Sequence, residues 1–112
     1  MHVEFRRAVI PDELRALLAF DAKVFLKPDR FDAGLWRRYE SYWLLVDGRK
    51  AGCCAFETNA DFTEEDEPAT RKGSLFISST AIHPAWRGRG LGQLMKAWQV
   101  AYARRNGYRR MV

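Results

Sequence analysis

The chain has 112 residues, 47% hydrophobic and 29% charged, with a formal net charge of +5. That length fits one domain that buries on the order of 60–70% of its unfolded surface without disulfide or metal staples. No apolar run approaches the ~20 residues of a membrane span, and the opening MHVEFRRAVIPDE lacks a signal peptide's apolar centre.

Val3, Phe5 and Val9 fall on alternating positions with Glu4 and Arg6 between, predicting a half-buried first strand. Pro11-Asp12-Glu13 then predicts a helix start, with proline presetting φ and two acids suiting the positive end of the dipole. Leu14, Leu17, Leu18 and Phe25 line its core face. Lys27-Pro28-Asp29 breaks that pattern, and Phe31 to Tyr39 predicts a short helix carrying Phe31, Leu35, Trp36 and Tyr39. Aromatics at that spacing read first as packing against a sheet.

Tyr42 to Val46 predicts a strand, Asp47-Gly48 a hairpin turn, and Ala51 to Thr58 the antiparallel return. Cys53 and Cys54 then point to opposite faces. They form no metal or redox motif and read as small buried groups in a reducing compartment, the cytoplasm. Asp61 to Lys72, with Asp61, Glu64, Glu65, Asp66, Glu67 and Pro68, reads as a polar surface loop. Its charge is a solvated face, or else an attraction for a cationic amine.

The most informative stretch runs from Ser74 to Tyr108. Leu75, Phe76, Ile77, Thr80 and Ile82 predict a strand that stops at His83-Pro84, where proline has no ladder donor. Leu91, Leu94, Met95, Trp98, Ala101 and Tyr102 then predict an amphipathic helix closing at Asn106-Gly107, with Arg104 and Arg105 in its last turn. Its start is chemically odd. A helix N-terminus is electropositive and favours acids or hydroxyls, yet here it has Arg87 and Arg89 among Gly88, Gly90 and Gly92. A bound anion would resolve the conflict, because bare N–H groups, glycine access and two guanidinium groups make a phosphate cradle. The dinucleotide fingerprint would need glycine at Gln93, and the nucleotide P-loop pattern occurs nowhere.

Arg87, Gly90 and Gly92 form R-x-x-G-x-G behind a strand ending Ala81-Ile82-His83-Pro84. This resembles the pyrophosphate loop of the GCN5-related N-acetyltransferase (GNAT) family, and F-R-R-A-x-x-P-D-E-L over Phe5 to Leu14 resembles that family's opening. The resemblance implies an α/β (α+β) fold, with a mixed, mostly antiparallel central sheet flanked by helices. Residues 1–112 would form a single domain covering about two-thirds of the usual one. The implied activity is transfer of acetyl from acetyl-CoA to a primary amine of a small molecule or peptide. Residues Arg87, Gly88, Arg89, Gly90, Leu91, Gly92 and Gln93 would hold the pyrophosphate. Ala81 and Ile82 would pair with the pantetheine arm, an N–H near Ile82 facing the thioester carbonyl, beside a bulge at Ser79 or Thr80.

Family members often place a catalytic carboxylate on this strand, but Gly73 to Ile82 contains none. Glu57 is the best carboxylate left as catalytic base, and His83 is the other proton acceptor at hand. No residue fills the position of the family's thiolate-protonating tyrosine, since Tyr108 precedes it and packs under the helix end. Gly107 to Val112 would begin a parallel strand, its pairing completed by further sequence or by a second copy in a homodimer. Two other readings are open: a non-catalytic acyl-CoA-binding regulatory module, and a nucleic-acid patch made by the arginines. The second is opposed by the lack of interleaved basic and aromatic residues.

Overall fold

A first strand of alternating burial and two inner strands buried on both faces build the sheet that carries the site. The computed structural model describes residues 1–57 and 74–112, so the acidic segment Asp61 to Lys72 lies outside the described residues. Its strands are β1 (Val3–Arg7), β2 (Glu40–Val46), β3 (Arg49–Glu57), β4 (Ser74–Ile82) and β5 (Arg110–Met111), in spatial order β1-β2-β3-β4-β5. The first four pair antiparallel, and β5 joins β4 in parallel through Ser74 with Arg110 and Leu75 with Met111. Helices α1 (Leu14–Val24) and α2 (Ala33–Arg38) cover one face, and α3 (Leu91–Arg105) covers the other. This is the mixed α/β architecture expected, with single 3₁₀ turns at Lys27–Asp29 and Pro84–Trp86. No helix among the described residues is long and apolar enough to cross a membrane.

The first strand ends at Arg7, and Val9 lies beyond it, 53% exposed. Helix α1 starts at Leu14, not at Pro11. Glu13 does not serve the dipole alone: its carboxylate accepts from the Val9 N–H at 2.8 Å and from Trp43 Nε1 at 3.2 Å. Long-range acceptor demand thus overrides the local capping role. Asp21 is buried and accepts the Phe31 N–H at 2.7 Å, tying α1 to the chain entering α2. Burial raises the pKa of that carboxyl, with the Phe31 N–H and Arg30 pulling the other way.

Asp32 caps α2 by accepting from the Leu35 N–H at 2.8 Å. Phe31, Trp36 and Tyr39 pack edge to face, with centroids 5.3 to 6.4 Å apart, in the α1-side cluster with Trp43 and Cys53. Asp47 and Gly48 supply the two positive φ values of a two-residue hairpin. Cys53 and Cys54 indeed face opposite clusters.

Helix α3 buries Leu91, Met95, Gln99, Tyr102 and Ala103. Leu94 is 40% exposed and Ala101 is exposed, so the buried stripe is rotated from the one apolar spacing predicts. Gln99 takes a core position because it finds a partner in Thr80, at 2.9 Å. At the other end the N–H groups of Gly107 and Tyr108 donate to the carbonyls of Arg104 (3.2 Å) and Ala103 (2.9 Å), a Schellman closure, and Tyr108 packs against the α3-side core.

Burial pushes the Cys54 thiol up to about 12, with a bond to Gln99 opposing, and pushes Cys53 well above its ordinary value. Both thiols should therefore resist iodoacetamide in the native protein at pH 8 and react once it is denatured. A thiol pKa raised on folding leaves stability untouched below the unfolded value of 9.0 and erodes it as pH climbs from there toward 12. For Cys54 alone the loss is about 1.4 kcal/mol per pH unit. Urea titrations across that range should show a shallower slope for Cys54→Ala than for the parent; equal slopes would refute the assignment.

Candidate active site

Strand β4 departs from regularity where the site begins. Ala55 pairs with Ser79 and Phe56 with Ile77, so Ser78 is the extra residue of a bulge. The bulge thus sits one residue before Ser79, the nearer of the two expected positions. The Ser78 Oγ is buried without a protein partner. Beyond the bulge the His83 N–H donates to the Ala51 carbonyl, so Ala81, expected beside the pantetheine arm, instead bonds β3 as His83 does, while Thr80 and Ile82 direct their backbone groups to the opposite edge. Along that edge β5 pairs at Ser74 and Leu75, and the Val112 carbonyl accepts from the Ile77 N–H.

After Ile82 the chain makes a 3₁₀ turn capped by His83, whose Nδ1 accepts from the Ala85 N–H at 3.1 Å. Gly88 and Gly90 then take φ of 79° and 78°, a left-handed region that side-chain-bearing residues avoid. The reversal aims the start of α3 back at the end of β4. The first helical bond runs from the Leu94 N–H to the Gly90 carbonyl, which leaves the amides of Leu91, Gly92 and Gln93 without intrahelical acceptors. Gly90 has no side chain to cap them, and a Cβ built on Gly88, Gly90 or Gly92 meets nothing within 4 Å. These bare amides border a hollow of about 300 Å³ lined by Ile82, Trp86, Arg87, Gly88, Gly90, Leu91 and Gly92.

Two guanidinium groups flank it without acidic partners among the described residues. Arg87 Nε donates to the Ile82 carbonyl at 3.2 Å, and the Arg89 guanidinium lies 4.9 Å above the Trp86 ring. Each retains N–H groups for an anion. Trp86 went unflagged in the sequence, although a large aromatic inside a loop of arginine and glycine is itself a signal.

Glu57 stands elsewhere. It pairs with Phe76 at the far end of β3, six residues along β4 from Ile82, roughly 20 Å of strand. Its Oε1 accepts from Arg38 Nη2 at 2.6 Å. His83 follows Ile82 but is not among the residues lining this hollow, and one of its ring nitrogens is committed to the turn. Among the described residues no group of three or more His, Cys, Asp or Glu could hold a metal ion.

A bulged strand, open on one edge and running into an uncapped helix mouth flanked by two arginines, defines a small α/β domain. The family described as Acetyltransferase (GNAT) family matches residues 11–112, and the chain belongs to it. Solved structures agree in fold. A ribosomal-protein-alanine N-acetyltransferase from Brucella melitensis superposes with a TM-score of 0.73 at 19% identity, over 99% of this chain and 78% of its own. AAC(6')-Iy in complex with a bisubstrate analog, CoA-S-monomethyl-acetylneamine, gives 0.71 at 17% identity, over 100% and 78%. The ribosomal-protein-S18-alanine N-acetyltransferase from Escherichia coli gives 0.69 at 13% identity over 95% of this chain, which spans only 62% of that enzyme's length. No curated protein matches the chain.

The glycines separate fold from binding. Gly92→Ala adds a methyl in open space within a helix and should raise stability by up to ~1 kcal/mol, read by urea denaturation. Gly90→Ala forces a side chain into the left-handed region and should cost about 1–2 kcal/mol.

Proposed function

We propose that this chain carries the donor-binding part of an acetyl-CoA-dependent N-acetyltransferase that acylates a primary amine. The observation that carries this reading is the uncapped mouth of α3, with its three free amides and unfilled Cβ positions beside Arg87 and Arg89. The amides from Gly88 to Gln93 would donate to the diphosphate oxygens, and the two guanidinium groups would neutralise their charge. The outward N–H groups of Thr80 and Ile82 would align the pantetheine arm like an added strand, and the N–H at Ile82 would polarise the thioester carbonyl. When bound, the thioester supplies an activated acyl carbon to the incoming amine. AAC(6')-Iy, which shares this fold, is complexed with a CoA-linked analog.

The proton leaving the amine needs an acceptor. Glu57 would take that proton only by leaving Arg38, and His83 only by giving up the Ala85 N–H at Nδ1, because its Nε2 already carries the ring proton. The engaged Glu57 and the lack of a carboxylate on β4 favour a second reading, a module that binds acyl-CoA without turnover.

Calorimetric titration with acetyl-CoA, paired with thiol release over a panel of amines, separates the two. Binding with release supports the transferase, binding alone the module, and neither rejects the cradle. Gly92→Val should weaken coenzyme A about tenfold or more, about 1.4 kcal/mol, while remaining folded by circular dichroism. Glu57→Gln should leave kcat nearly unchanged, because loss of a true general base costs about 10²–10⁴-fold; a drop of that size would establish Glu57 as the base.

A further inference from the structure

A second hollow, of about 290 Å³, lies beneath α1 at the end of β4, lined by Ala16, Phe20, Lys23, Lys50, His83 and Trp86. It sits toward β3, whose first residues carry Lys50, whereas the outward backbone groups of Thr80 and Ile82 open the opposite edge of β4. Trp86 is the wall it shares with the mouth of α3.

Its polar side chains are all donors. Lys23 and Lys50 have no acidic partner among the described residues, and the Lys50 ammonium rests 5.2 Å from the centre of the Trp43 ring. Because His83 Nδ1 accepts from the Ala85 N–H, the proton of the neutral imidazole is on Nε2, which makes that nitrogen a donor as well. Nothing in the lining offers a carboxylate to a cation. Phe20 and Trp86 supply flat apolar surface, and the Phe20 and His83 rings lie 6.0 Å apart.

We propose that this hollow binds a small planar anion, an aromatic or heteroaromatic ring bearing a carboxylate or phosphate. The ring would seat against Phe20 and Trp86, and the charge would meet Lys23 and Lys50. Two ammonium groups without a resident counter-charge favour an anion over a neutral ring, and the aromatic walls favour a ring over a bare ion. The site stands whether or not the mouth of α3 takes a cofactor.

The test is calorimetric titration of the intact chain with 2-naphthoate, 2-naphthyl phosphate and the neutral 2-naphthamide, alongside NMR of the Trp86 indole N–H. At least one anion should bind about tenfold or more tightly than the amide and move the indole signal. The exposed double substitution Lys23→Gln/Lys50→Gln should remove about tenfold of that affinity, a loss that added salt also produces in the parent. Gly92→Val should leave it intact, since that substitution reaches only the mouth of α3. Preference between the two anions identifies carboxylate or phosphate as the natural charge. Absence of binding, equal affinity for the amide, indifference to the lysine substitutions, or loss in Gly92→Val would each overturn the proposal.

Discussion

Helix α3 and strand β4 both close in on Gly52, where there is no room for a side chain. A Cβ there would stand 2.8 Å from Met95 Cε and 3.0 Å from the Ala81 carbonyl oxygen; the methionine could swing away but the backbone could not. One turn beyond Met95, Gln99 donates to Thr80 across the same interface. These contacts lock the helix to β4, and so fix the spacing between the free amides at its mouth and the strand edge at Thr80 and Ile82. The stacked pairs Phe5 with Trp98 (4.5 Å) and Phe56 with Tyr102 (4.6 Å) extend the seam toward the helix C-terminus. A ligand that touches both mouth and strand is thus presented with one rigid body.

The two ends of α3 are finished differently. At the C-terminus the chain closes its own carbonyls, and Arg104 and Arg105 place positive charge where the dipole is negative. At the N-terminus the charges have the wrong sign for the dipole, and Arg87 and Arg89 are held by a carbonyl and an aromatic ring instead of by carboxylates. Holding guanidinium groups on neutral partners keeps them in place without cancelling them. That arrangement leaves like charge facing the positive end of the helix dipole, a conflict that a bound anion would relieve.

Much of this was legible in the residues. Alternation located the first strand, apolar and β-branched runs the others, Asp47-Gly48 the hairpin and Asn106-Gly107 the helix end, because each depends on local sterics that a few side chains determine. The glycine and arginine spacing located the mouth of α3 for the same reason. What escaped depends on distant partners. Gln99 is buried because Thr80 waits for it, Leu94 is displaced outward by the resulting rotation, and α1 begins late because Glu13 is drawn to Val9 and Trp43. The bulge at Ser78 is a matter of register between two strands, which neither strand's composition encodes. Trp86 and the lysines under α1 lie far apart in sequence and meet only through the fold.

The far end of the sheet clarifies what is special about the mouth. There Glu40 accepts from Arg7 at 3.0 Å and from the Tyr42 hydroxyl at 2.7 Å. Burial, reinforced by the Glu40 charge, raises the pKa of Tyr42, Tyr102 and Tyr108, and the Tyr42 and Tyr102 phenols bond that carboxylate. That cluster balances donors against an acceptor within the protein, so it has nothing to offer a ligand and serves to hold β1, β2 and α3 together. At the mouth the inventory is one-sided: free amides and guanidinium groups face a hollow that contributes no acidic side chain. Between the two ends sits the Ser78 hydroxyl, buried at the bulge and unpaired within the protein. Unmet donors are costly unless solvent or a ligand accepts from them. The amides and guanidinium groups at the mouth lie open to the hollow, whereas the Glu40 cluster meets its donors within the protein, so the mouth is where an anionic partner would supply acceptors that the fold itself does not.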